Sequence, residues 1–345
     1  MEPRQKKVLQ LALIGCGEHS QENLIPCFGV LSNARIVAVC DTDQHAAAQA
    51  AHRLGNCNVK ANFKELLDLN DLDAIVVAAP PQVHHQTAFE ALRRGLHVFV
   101  EKPATATRKE LFELTVAAHK RGLVTCVGHN LRHATAAIQM WSLLNTKKAQ
   151  RGDKRDSENP VAMELRYFAS KPRGDRWGLN SPLRSFLLSH ASHAIDFMLY
   201  QMGPIQRVSA ALASSDTCGI TLSVQFAFVS GAVGSLLATS SAPHFIISGT
   251  VIGKNNCVVQ LNSLNEIVAY GVGDDRKRWG RCWTSKTLLT GYEGAGYLKE
   301  LEDFVEAVRQ NRPDKCHPSF KDELLVYEVI DAIEEKVAGG KLHFC

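Results

Sequence analysis

Two places in this chain set ionisable side chains where they could move a proton. The first is the tripeptide Glu101-Lys102-Pro103, which closes the stretch AAPPQVHHQTAFEALRRGLHVFVEKPAT at residues 78–105. Ile75 to Ala79 is an apolar run broken by Pro80 and Pro81, Gln86 to Arg94 has helical spacing, and Leu96 to Val100 is apolar again. The stretch therefore reads as strand, helix, strand, with Lys102 where the second strand runs out. In an open parallel sheet, such strand ends face the ligand crevice. A lysine there can orient a substrate oxygen and stabilise negative charge developing on it, or exchange a proton itself if burial lowers its pKa. The second place is a helix expected from about Phe186 to Tyr200, on which His193 and Asp196 lie one turn apart and could address one hydroxyl. An imidazole titrating near ~6.5 suits removal of a hydroxyl proton at neutral pH. Taken alone, a lysine before a turn proline is a surface residue and a helical histidine a packed one. The chain around them gives the reason to read them otherwise.

Upstream, the apolar run Val8 to Ile14 leads at once into Gly15-Cys16-Gly17-Glu18-His19-Ser20 and a helix-compatible run to about Leu31. One glycine makes the strand-to-helix turn, and the second lets backbone amides approach a pyrophosphate. Ser20 in the third position is small enough for close helix–strand packing. The next strand, Arg35 to Cys40, ends in Asp41, where a carboxylate would accept the 2′-hydroxyl of an adenine ribose. It would repel a 2′-phosphate, and no Arg or Lys follows at once, so NAD(H) is preferred to NADP(H). The other reading of Asp41 is a turn residue or the cap of a helix from about Gln44 to Leu54.

Helices near Phe63 to Leu69 and Lys109 to Arg121, with strands Ala74 to Ala79 and Val124 to Gly128, complete an alternating pattern. The fold class is α/β, with a doubly wound parallel sheet in a dinucleotide-binding domain over residues 1–129. Residues 130–345 form a second α/β domain for substrate binding and oligomerisation, the C-terminal helix being able to pack back on the first. After a helix from about Thr135 to Leu144, residues 147–160 are highly charged and read as a solvated loop. Strands are expected at Val161 to Ala169, Arg207 to Ala213, Ile220 to Val229, Ala232 to Thr239, Phe245 to Ile252 and Cys257 to Leu261. Ile220, Leu222, Val224, Phe226 and Phe228 alternate with more polar residues, so helices cover one face of this sheet and leave the other as a dimer surface. Before the His193 helix, Arg173, Arg176 and Arg184 either grip a substrate carboxylate or phosphate or are solvated and paired with Asp175 and neighbouring acids.

With 345 residues, 45% hydrophobic and 21% charged, the chain has the composition of a globular protein of two domains. A net charge of +4 argues for neither nucleic acid nor a membrane surface as partner. No segment approaches the ~18 apolar residues of a membrane span, and the N-terminal apolar run reads as a strand, not a secretory signal. The 10 cysteines are scattered without CxxC or other metal-ligand spacing, which points to reduced thiols in the cytoplasm and no metal site.

The residues GCGEHS, APPQVHH, EKP, VGHNLR and HASHAID, with the later LEDFVEAVRQNRP, resemble the Gfo/Idh/MocA oxidoreductases over most of the chain. The resemblance implies an NAD(P)-dependent dehydrogenase or reductase acting on sugars, cyclitols or related polyols, with a C-terminal α/β domain on a large open, mostly antiparallel sheet. It implies a homodimer or homotetramer through that sheet and a small-molecule substrate. Gly15, Gly17, Glu18, His19, Ser20 and Asp41 would hold the cofactor together with Pro80, His84, Glu101 and Lys102. Lys102 and His193 would be catalytic, with Asn130, Arg132, Arg173, Arg176, Arg184, Ser189 and His190 on the substrate side. The family order is Asp, three residues, His, two residues, Asp, and here Ser189 stands at the first position. Serine has no useful basicity, which suggests an anionic or nucleotide-linked substrate and gives weight to a dinucleotide-binding sensor without catalysis, while the resemblance itself leaves open a redox-neutral NAD-dependent glycosidase or epimerase.

Overall fold

The computed structural model describes residues 8–144, 160–171, 174–216, 219–254, 256–272, 277–284 and 294–339. The chain divides into two compact units, residues 1–129 with 297–324 and residues 130–296 with 325–345. Among the described residues, no helix is long and apolar enough to cross a membrane.

In the first unit, β1 (Leu9–Ile14), β2 (Ala34–Cys40), β3 (Asn58–Lys60), β4 (Ala74–Val77), β5 (His97–Glu101) and β6 (Thr125–Gly128) form one parallel sheet in the order β3-β2-β1-β4-β5-β6. Every residue of β4 is buried, and β1 and β5 are buried but for one position each, as expected for strands covered on both faces. The strand order reverses between β1 and β4, so the crevice for a ligand lies outside their carboxyl ends. Local chemistry sets the helix ends. Asp43 caps Gln44–Arg53 by accepting from His45 N and Ala46 N, and Thr107 and Glu110 form a capping box on Arg108–Arg121, which Gly122 ends at φ +63°. The helix expected from Gln86 begins five residues earlier, at Pro81, because proline at the first helical position loses no hydrogen bond. The three-residue β3 was not anticipated; its Asn58 and Val59 are exposed, so it lacks an apolar run.

The second unit holds an eight-stranded sheet. Its strands are β7 (Pro160–Phe168), β8 (Ile205–Asp216), β9 (Gly219–Phe228), β10 (Val233–Thr239), β11 (Ile246–Gly253), β12 (Val258–Ser263), β13 (Glu266–Val272) and β14 (Arg278–Thr284). They run in the order β14-β13-β12-β11-β7-β10-β9-β8, and only β7 and β10 pair in parallel. Leu222, Val224, Phe226 and Phe228 point to the buried face with Leu236, Leu165 and Val251. Helix Thr135–Leu144 packs on β12 and β13, and helix Ser192–Met202 on β7. At Gly234 a Cβ would sit 2.8 Å from Met198 Cε, so this glycine allows that helix to lie close. Val233, Leu237, Ile252 and Tyr270 stand on the opposite face and are exposed. The single helix expected over 186–200 is instead Pro182–Phe186, a π-helical turn Leu187–Ala191, and Ser192–Met202. Residues 147–159 lie outside the described residues.

Candidate active site

The glycine turn of the first unit is built for close approach. Gly15 has φ +93°, and a Cβ there would lie 2.1 Å from Ala78 O, so β1 and β4 can meet at the switch point only without a side chain. At Gly17 nothing lies within 4 Å of a Cβ position, leaving the exposed backbone open to a ligand. Ser20 is buried and its Oγ donates to Gly15 O at 2.7 Å, so the hydroxyl fastens the turn and is spent there. Glu18 is exposed and His19 half-buried beside it. Burial and then Asp41 push the Cys16 thiol up to about 12, which removes it as a nucleophile. Gln21, which drew no notice in the sequence, donates to Cys16 O at 3.2 Å and receives Arg53 Nη1 at 2.8 Å, tying the turn to the next helix.

Asp41 ends β2 against this turn. Its Oδ2 accepts from Cys16 N at 2.6 Å and its Oδ1 from Asp43 N at 2.8 Å. The helix-cap role is taken by Asp43, so that reading of Asp41 falls away. Each carboxylate oxygen keeps acceptor capacity for a ribose hydroxyl. Pro80 is exposed just past β4, at the start of the helix Pro81–Arg93. His84 is another residue expected on the cofactor side. It is fully buried, its Nε2 accepts from Ala79 N at 3.1 Å, and its Nδ1 lies 2.9 Å from Pro103 O as the donor. Burial lowers its pKa to about 4, so a neutral ring clamps the loop after β4 to the turn after β5.

Glu101 and Lys102 end β5 at the same rim. Glu101 is 5% exposed, and its Oε1 lies 3.1 Å from His19 Nε2. Burial pushes its carboxyl up, but His19 and Lys102 together outweigh this and hold it below the usual range. Lys102 N donates to Glu101 Oε2 at 3.2 Å, and the Lys102 side chain is half-buried. Gly128, the register partner of Glu101 on β6, was also missed. A Cβ there would come within 2.7 Å of the Glu101 carboxyl carbon, so its absence makes the space for that side chain.

In the second unit, His193 is 8% exposed, and the Tyr167 ring on β7 stacks 6.5 Å from it. Burial raises the Tyr167 phenol, which stays protonated and can supply only a surface or a hydrogen bond. Asp196 is the residue expected to address one hydroxyl with His193. It is fully buried and holds Arg132 through two contacts, Nε to Oδ2 at 2.9 Å and Nη2 to Oδ1, while the guanidinium lies 5.3 Å over the Tyr200 ring. Arg132, expected on the substrate side, thus has its charge balanced by Asp196 inside the unit. Arg184 is likewise paired, with Asp331 at 2.7 Å and Glu334 at 2.5 Å on the helix Phe320–Gly339. Arg173 lies outside the described residues. Arg176 is exposed, with its guanidinium 5.2 Å over Trp177 and its amide bonded to Ser185 Oγ. Asn130 is buried and donates to Ala295 O at 2.9 Å, a structural bond. Ser189 is 2% exposed and its Oγ donates to Ser185 O at 2.5 Å within the π-helical turn, whereas His190 is half-buried and stacks on Phe186.

The fold is shared widely. Residues 9–129 match the family model described as an oxidoreductase family NAD-binding Rossmann fold, and residues 158–342 match the same family's C-terminal α/β domain. The dTDP-3,4-didehydro-2,6-dideoxy-α-D-glucose 3-reductase of Streptomyces antibioticus is 34% identical over 131 residues, 37% of this chain and 40% of that protein. This chain thus spans about two fifths of that relative in the matched region. Levoglucosan dehydrogenase of Pseudarthrobacter phenanthrenivorans is 24% identical over 349 residues, 87% of each chain. The crystal structure of a dehydrogenase from Chromobacterium violaceum superposes with a TM-score of 0.86 at 33% identity, covering 96% of both chains. With both of its units matched, the chain belongs to the Gfo/Idh/MocA oxidoreductase family.

Proposed function

We propose that this protein is an NAD(H)-dependent dehydrogenase or reductase that interconverts a hydroxyl and a ketone on a sugar, cyclitol or related polyol derivative. The observation that carries the reading is the switch-point rim of the first unit, where the Gly15 turn, the Asp41 carboxylate and the Glu101-Lys102 end of β5 meet one crevice. These residues fit a dinucleotide: no Cβ could be tolerated at Gly15, Gly17 is open, and a carboxylate stands where a ribose diol would be accepted. Asp41 favours NAD(H) over NADP(H) because it would repel a 2′-phosphate. The names of the relatives, a dTDP-sugar 3-reductase and levoglucosan dehydrogenase, support a sugar-type substrate.

When bound, the nicotinamide would accept or return hydride at the substrate carbon. The chain's own work is then to move a proton and hold charge. Lys102 orients the reacting oxygen and stabilises its developing negative charge, and His193 takes the hydroxyl proton. Asp196 acts on His193 only through the helix it anchors with Arg132. With Arg132 and Arg184 already paired, an anionic substrate would have to rely on Arg176 or Arg173. The exposed apolar residues Val233, Leu237, Ile252 and Tyr270 support assembly of the chain through the outer face of the eight-stranded sheet. Ser189, bonded back to Ser185, favours one second reading, a dinucleotide-binding sensor without net chemistry. Incubation with NAD and a panel of sugars, cyclitols and nucleotide-sugars separates the two: net NADH formation supports the dehydrogenase, and binding without turnover supports the sensor.

A further inference from the structure

His19 sits on the first helical turn after β1, and Glu101 ends β5, yet β4 lies between those strands in the sheet. Their contact therefore passes over the end of β4, across the mouth of the crevice. His19 Nε2 and Glu101 Oε1 are 3.1 Å apart and both shut off from solvent. The attraction is chiefly that of a donor ring for a buried carboxylate. Three further contacts fix the imidazole and its partner. Asn23 Nδ2 lies 3.4 Å from His19 Nδ1, the Tyr297 ring meets the imidazole edge-on at 5.6 Å, and the bare Gly128 backs the carboxylate from β6. The second oxygen of Glu101 receives the amide of Lys102.

We propose that His19 is a positioning residue for the Lys102 turn: it anchors Glu101 across the crevice, and Glu101 in turn holds the backbone from which Lys102 projects. The inference rests on the dehydrogenase reading and names the residue that keeps its lysine in register. The glycine turn thus does more than receive phosphates. It grips the end of β5 beyond the intervening β4, so that closing the turn and placing Lys102 are one event. A carboxylate without this anchor keeps the Lys102 amide as a contact but has a flexible side chain with which to leave its place. Displacing a catalytic group by as little as about 1 Å costs on the order of a hundredfold in rate.

The test uses the full chain and the substrate that gives net NADH formation with the wild type. Replacing His19→Ala should lower kcat at least about tenfold, with the substrate KM within about threefold. His19→Gln, which keeps a donor, should recover most of the loss. Gly128→Ala should reproduce it from the opposite side by pushing the carboxylate away. In a Lys102→Ala background, His19→Ala should cost nothing more, since it acts only through that lysine. An equal loss in that background, an unaltered kcat, or a loss in KM alone overturns the inference while the dehydrogenase reading stands. A wild type that binds NAD without turnover on any substrate overturns the reading, and the inference with it.

Discussion

Breaking the Arg132–Asp196 pair should cost the second unit much of its stability. The carboxylate is fully buried and the guanidinium side chain 9% exposed, so removing either partner leaves an uncompensated charge away from water. Such a loss is typically about 3–5 kcal/mol. For a unit of this size, each kcal/mol lowers Tm by roughly 2–4 °C, which predicts a fall on the order of 10 °C for Arg132→Met or Asp196→Leu. The double replacement should be less damaging than either single one, because no charge is then stranded. Circular dichroism melts of the four proteins measure this directly. If the single variants melt within about 2 °C of wild type, or if their effects simply add, the pair is not the anchor of the His193 helix and Arg132 returns to the substrate set.

Replacing Asp41→Ala should narrow the preference for NAD(H) over NADP(H), and a wild type that already prefers NADP(H) in a binding titration removes the ribose role of Asp41. His84 gives a pH effect with a definite sign. Its folded pKa, about 4, is below the ordinary 6.5, so the unfolded chain binds a proton first as pH falls, and the stability from the neutral ring is present above about 6.5 and lost towards 4. The full shift corresponds to roughly 3 kcal/mol. His84→Gln should melt at lower temperature at neutral pH but show a shallower decline on acidification; parallel declines would show that His84 does not carry the linkage. Leu237→Asp on the outer sheet face should shift sedimentation to a smaller species, and an unchanged profile would count against assembly through that face.

How far the sequence could be read follows from where each element gets its order. β1, β2, β4, β5 and β6 lie within two residues of expectation because a parallel sheet buries both faces and leaves continuous apolar runs. Strand β13 and the edge strands β3 and β14 were passed over; RWGRCWT is largely exposed, and its pairing with β13 is decided by the neighbour, not by its own pattern. The glycine turn and the end of β5 were legible because close backbone approach demands particular residues. Arg132 and Asp196, 64 residues apart, share no local signal, so the commitment of one to the other is invisible before the chain folds. The same holds for Arg184 with Asp331 and Glu334, and for His84, whose two ring nitrogens are taken by backbone from two different strand ends. The turn of π-helix at Ser189 likewise leaves no compositional mark in LLSHA.

The central claim is that Lys102 at the end of β5 supports redox chemistry on a dinucleotide held by the Gly15 turn. It is tested most directly by measuring Lys102→Ala twice, for NADH affinity by fluorescence titration and for net turnover on the best substrate of the panel. The account predicts NADH affinity within a few-fold of wild type and kcat lowered by on the order of a hundredfold or more. Near-normal turnover, or a loss of NADH binding that accounts for the whole defect, would contradict it.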